Sequence, residues 1–157
     1  MWEALEQTAW VRVLGNSGLA YVVVSVVHYL TMFWFIGSIA VVDLRIVGVA
    51  ARRRSVTELA DQLFPWAWIG LAFAVLSGFL MFAPFAGDWA PDPVFHIKLT
   101  LIVLGLGFAV VVQRGVPKWA QASRMPTTAK VIAITSLLLW ILTILCASEI
   151  PGREGLG

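Results

Sequence analysis

This sequence predicts an all-α fold: a bundle of four transmembrane helices with a short N-terminal interfacial helix. Three observations carry that reading. The chain has 157 residues, 60% of them hydrophobic and only 13% charged, with a mean hydropathy of +0.88; a soluble domain averages roughly 25% charged residues. Four apolar runs, residues 19–45, 65–85, 94–113 and 128–148, are each of the length needed to cross a bilayer as helix, about 20 residues. The runs are continuous rather than alternating and the connections are short, which selects helices over a barrel. The length suits a single integral membrane domain over residues 1–157, with no internal repeat and no low-complexity segment.

The N-terminal stretch WEALEQTAWVRVL, residues 2–14, places Trp2, Leu5, Ala9, Trp10, Val13 and Leu14 near one helical face. It opens with Glu3 and Glu6 and lacks a basic leader, so it is not expected to be a cleavable signal peptide. It is expected to be a short helix lying in the interface, ended by the turn Gly15-Asn16-Ser17-Gly18. The first span then runs over residues 19–45, and its helix can extend to Ala51. The second span opens at Pro65, where a first-turn proline is tolerated. Pro84, Pro91 and Pro93 bracket the turn between spans two and three.

Charge gives the expected orientation. Arg45, Arg52, Arg53 and Arg54 lie between spans one and two, and Arg114, Lys118, Arg124 and Lys130 between spans three and four. The other side holds only Arg12, Lys98 and Arg153 among basic residues, with Glu3, Glu6, Asp88, Asp92, Glu149 and Glu154. The basic loops are expected in the cytoplasm and both termini outside, in a bacterial cytoplasmic membrane. The lipid bilayer is the first partner, and no nucleic-acid partner is expected. One cysteine, Cys146, excludes an intrachain disulfide and a CxxC site. No P-loop, dinucleotide fingerprint or nucleophile motif is present, so no enzyme class is indicated.

Polar groups at membrane depth are costly unless paired, solvated or used. At about 100° per residue, Tyr21, Ser25, His28, Met32, Phe35, Ile39 and Asp43 share one stripe of the first span. That stripe should face the bundle interior. Gly37 and Gly48 lie on other azimuths and are candidates for close helix contact. His28 has two readings. It can hydrogen-bond a neighbouring helix, or it can ligate a haem iron or a metal, because neutral imidazole is the commonest such ligand. The only other histidine is His96, at the outer start of span three. Counting from the helix starts, the two differ in depth by roughly 10 Å at 1.5 Å per residue, which opposes a shared haem. His96 is therefore also read as an interfacial residue near Lys98, a lysine expected to snorkel outward, or as a contact for a haem propionate. Asp43 and Arg45 are two apart and not on one face, so each is expected to meet another helix or the headgroups. Trp66, Trp68, Trp89 and Trp119 fit an aromatic belt; Trp140 lies in mid-span near Ser136 and Thr143. Asp88, Asp92, His96 and Glu149 gather on the outer side without compact metal-ligand spacing.

His28 followed by Gly37, the Asp43-Leu44-Arg45 triplet, Ser77-Gly78, the stretch Phe95 to Lys98 and Ser136 to Trp140 resemble an uncharacterised bacterial family of four-helix membrane proteins. That family is itself similar to the membrane part of CopD-type copper-resistance proteins and, more distantly, to the HemJ-type protoporphyrinogen oxidase. The resemblance covers nearly the whole chain. It implies haem b inside the bundle with the first-span histidine, here His28, as ligand. The function expected from residues and resemblance together is a membrane-embedded b-type haem protein. It would transfer electrons at the periplasmic side to a quinone, a periplasmic redox partner or another subunit, including a second copy in a homo-oligomer. Tyr21, Ser25 and Met32 would line or tune the site, His96 is the candidate second ligand, and Lys98 belongs to the binding set. The alternatives are a copper-handling or transport-associated protein using Met32, Met81, His28 and His96, or a structural subunit without cofactor.

Overall fold

The computed structural model describes the backbone of residues 2–152 and the side chains of residues 2–148. Arg153, Glu154 and the side chain of Glu149, counted above in the charge asymmetry, lie outside them. Among the described residues seven α-helices follow in chain order: α1 (Trp2–Glu6), α2 (Ala9–Asn16), α3 (Gly18–Val47), α4 (Val56–Phe82), α5 (Ala86–Trp89), α6 (Pro93–Trp119) and α7 (Thr127–Gly152). A 3₁₀ turn, Ala83–Phe85, links α4 to α5. Four helices, α3, α4, α6 and α7, are long and apolar enough to cross a membrane.

The expected interfacial helix is two helices. The chain breaks at Thr8, whose backbone is extended (φ −67°, ψ 144°) and whose Oγ1 donates to the Leu5 carbonyl at 2.7 Å. Gly15 and Asn16 belong to α2, so the turn into α3 contracts to Ser17 alone. Ser17 caps α3 by accepting from the Ala20 amide at 3.3 Å. α3 stops at Gly48, which takes the left-handed conformation (φ +91°) that a side chain would disfavour. The role expected of Gly48 in helix contact is therefore replaced by a capping role.

The largest revision concerns Pro65. α4 starts at Val56, nine residues earlier than the apolar run, behind a capping box in which Ser55 and Glu58 satisfy each other's backbone amides. Pro65 is thus inside the helix, where it removes the hydrogen bond to the Asp61 carbonyl. At the start of α6, Asp92 accepts from the Val94 amide at 2.8 Å and Pro93 fills the first helical position.

Lipid removes most of the hydrophobic drive between helices, so close packing of small residues has to supply the association. The seams follow that rule. α3 packs against α4 and α7, α7 also against α6, and α6 only lightly against α4. α4 offers α3 the buried small residues Ala67, Gly70, Ala74 and Ser77. A Cβ at Gly70 would lie 3.4 Å from the Thr31 carbonyl oxygen, whereas nothing lies within 4 Å of one at Gly37. Close approach of α3 is thus granted by α4. On the other side, Ala129, Ala133, Ser136, Trp140 and Thr143 of α7 are buried. Trp140 seats edge-on against Phe35 (centroids 5.0 Å) and over Gly105 of α6, where a Cβ would come within 2.9 Å of its ring. The predicted stripe of α3 turns inward as expected in its second half, with Phe35, Ile39 and Asp43 all buried.

α1, α2, the 3₁₀ turn and α5 pack together over one end of the bundle. Trp2 meets Phe82 edge-on (5.5 Å), Tyr21 meets Phe85 (5.5 Å), and Glu6 Oε1 accepts from the Gly87 amide at 2.6 Å. The basic loops close the other end.

Candidate functional site

Because α3 and α6 are not packed neighbours, a gap is left between them under the α5 cap. It forms a cavity of about 280 Å³, just under the roughly 300–1,000 Å³ usual for small-molecule sites. α3 lines it with His28 and Met32, α4 with Gly78 and Met81, and α6 with Phe95 and Lys98. Trp89 of α5 and Ala147 and Ser148 of α7 line the remaining sides. The wall is mostly apolar and aromatic, with Phe82 and Phe95 stacked at 5.1 Å.

His28 is held from α4. Its Nδ1 lies 3.0 Å from the Ala74 carbonyl oxygen and 3.2 Å from Ser77 Oγ. A carbonyl only accepts, so Nδ1 carries the proton in this arrangement. Ser77 in turn donates to the Phe73 carbonyl at 2.6 Å, leaving its own oxygen to receive the imidazole. In the neutral ring the lone pair is then on Nε2, which makes no hydrogen bond among the described residues. A backbone carbonyl that fixes tautomer and ring orientation is the arrangement that prepares a histidine to ligate. Gly78 makes room for it: a Cβ there would come within 3.0 Å of the imidazole Cε1.

The other residues singled out in the sequence divide into two groups. Met32 and Lys98 line the cavity with His28. Tyr21, Ser25 and His96 do not. Tyr21 packs on Phe85, and Ser25 Oγ donates back to the Tyr21 carbonyl at 2.9 Å within its own helix. His96 is exposed, and its Nε2 donates to the Ala90 carbonyl at 2.8 Å, tying the first turn of α6 to the α5 loop. Depth is not what keeps His96 from the cavity. Its neighbours Phe95 and Lys98 reach the same cavity as His28, because the first turns of α3 rise beside the α5 cap. Azimuth separates them, since His96 points off the face that carries residues 95 and 98.

Among the described residues no group of three or more His, Cys, Asp or Glu side chains converges as a metal site. The described members of the acidic set do not converge: Asp92 caps α6 and Asp88 is exposed. The side chain of Glu149 lies outside the described residues. Sequence reasoning missed the Ala74 carbonyl, which no side chain announces. It noted Ser77-Gly78 without seeing that the pair forms the seat of His28. The usable signal was spacing, since Gly70, Ala74 and Ser77 recur every three to four residues as a small-residue face.

The chain belongs to a family of unknown function (DUF6644), whose model matches residues 5–150. No curated protein and no solved structure matches it.

Proposed function

We propose that this protein is a membrane-embedded b-type haem protein that carries electrons near the outer face of the bacterial cytoplasmic membrane. The observation that carries the reading is His28, tied through Nδ1 to the Ala74 carbonyl and lining a cavity between the helices, with Nε2 free of hydrogen bonds among the described residues. The residues present fit haem b. Imidazole is a haem ligand, Met32 and Met81 supply thioethers on the same cavity, aromatic rings form its walls, and Lys98 brings a cation suited to a propionate. The lone Cys146, with no CxxCH, fits non-covalent attachment. When bound, haem b supplies reversible one-electron chemistry at its iron. The chain's own residues would orient it and keep it dry. Ser77 and the Ala74 carbonyl hold the imidazole, Gly78 admits it, and Phe82, Phe95 and Trp89 exclude water. The likeness expected between this family and the CopD-type membrane domain would imply the same assignment. Electrons would pass to a quinone, a periplasmic partner or a second copy of the chain.

A second reading is favoured by one specific feature: His28, Met32 and Met81 line one cavity, and soft thioethers with imidazole suit Cu(I). The purified protein distinguishes the two. Haem predicts a Soret band that shifts on dithionite reduction and a pigment extractable by acid acetone. Copper predicts a colourless reduced protein with stoichiometric metal by elemental analysis. A folded, colourless preparation made with ample haem supply would rule out the cytochrome. For orientation, reporter fusions at Ser55 and Met125 should read as cytoplasmic. A fusion after Gly157, beyond the described residues, should read as periplasmic.

A further inference from the structure

The basic half of the bundle holds a second polar site that the cavity does not use. Asp43 of α3 is wholly buried (0% exposed), and so is Ser136 of α7. Among the described residues neither carboxyl oxygen of Asp43 has a hydrogen-bond partner, and Ser136 Oγ and Trp140 Nε1 also have none. Ser136 is the polar neighbour of the carboxyl, and no hydrogen bond closes between them in this geometry. Four buried, unpartnered polar atoms on one helix seam are unusual, since nearly all such groups in proteins are paired.

An ionised carboxylate cannot persist there unpaired. The charged groups on the basic halves of the surrounding elements are Arg45 of α3, Glu58 and Asp61 of α4, Arg114 and Lys118 of α6, and Lys130 of α7. All except Arg45 are exposed. Arg45 directs its Nε to the Arg54 carbonyl at 2.7 Å. None of the six bonds to Asp43. A metal cation is disfavoured by the donor set, which has one carboxylate and one hydroxyl, while the third group is an indole N–H that can only donate.

We infer that Asp43 is a proton-binding site: the carboxyl is carried neutral in the α3–α7 seam beside Ser136, and its loss of a proton opens that seam to water from the basic end. The ligand is a single proton. Asp43 lies four residues before the end of α3, so water reaching past the last turn suffices to exchange it. The seam responds because the charge left behind has no partner within the dry interface and must recruit solvent. The inference is independent of any cofactor at His28, which lies fifteen residues away on the same helix.

Infrared titration of the full chain in lipid nanodiscs tests it. The wild type should show a protonated-carboxyl carbonyl band at neutral pH that shifts in D₂O, disappears at alkaline pH and is missing in Asp43→Asn. Ser136→Ala should keep the band and move its frequency, so a poorly folding Asp43→Asn does not leave the assignment open. Hydrogen-exchange protection along the basic halves of α3 and α7, taken relative to the intrinsic base-catalysed rate, should fall at alkaline pH in the wild type and stay unchanged in Asp43→Asn. His28→Ala should leave all of this unchanged, so failure of the haem reading and failure of this one are distinguishable. A wild type with no such band at neutral pH, a band that Asp43→Asn retains, or a band removed by added sodium at constant pH would each overturn the inference.

Discussion

α3 carries two interior polar residues, and the bundle treats them in opposite ways. His28 sits on the wall of a cavity, with one nitrogen fixed by α4 and the other without a hydrogen bond among the described residues. Asp43 sits buried where α3 and α7 close over small residues, with no hydrogen-bond partner among the described residues. A polar residue that is half satisfied beside open space is prepared for a ligand. One that is unsatisfied in a dry seam is prepared for a change of its own charge. On the two readings proposed above, the same helix stripe would give a binding group at one end and a protonatable group at the other.

The strongest way to break this contrast is to remove the imidazole. His28→Ala should reduce bound haem to background, measured by pyridine haemochrome assay on purified protein. Normal haem content in that variant would return His28 to a packing role between α3 and α4. Next in size is the closed half. Gly105→Ala puts a methyl within 2.9 Å of the Trp140 ring, and overpacking of this kind costs about 1–3 kcal/mol. Thermal or denaturant unfolding in detergent should register it while the His28 cavity still binds. Unchanged stability would mean that the α6–α7 seam is looser than its packing indicates.

A smaller effect should follow at the seat of the histidine. Gly78→Ala presses on Cε1 at 3.0 Å. Rotation of the ring off the Ala74 carbonyl should weaken cofactor binding on the order of tenfold, about 1.4 kcal/mol. Gly37→Ala, with nothing within 4 Å of the new methyl, is the control and should bind normally; equal losses in both would detach the effect from His28. His96→Ala should do least. It removes one exposed hydrogen bond to the Ala90 carbonyl, worth about 0.5–1.5 kcal/mol, and should leave the haem coordination spectrum intact. An altered spectrum, or new access for carbon monoxide, would make His96 a ligand after all.

Hydropathy and periodicity alone identify four spans, an all-α bundle, a short helical N-terminus and an inward stripe on α3. These properties depend on what each residue costs in lipid, and that cost is local to the sequence. The start of α4 was legible too, in Ser55 and Glu58, but the apolar run drew the boundary to Pro65 because a capping box lies in polar sequence outside the membrane stretch. Tertiary structure alone decided which polar residues on the stripe meet open space. The Ala74 carbonyl that orients His28 is backbone, and every residue has one. Lys98 enters the cavity while His96 turns to a loop, a difference of azimuth set by how α6 docks on α7. Asp43 has no hydrogen-bonded counter-charge among the described residues: Arg45, two residues on, lies off its face and bonds to the Arg54 carbonyl. Composition fixes what a helix must hide from lipid. Only the packing of one helix on another fixes what each hidden group then meets, because a contact belongs to two surfaces and the sequence of either helix describes only its own.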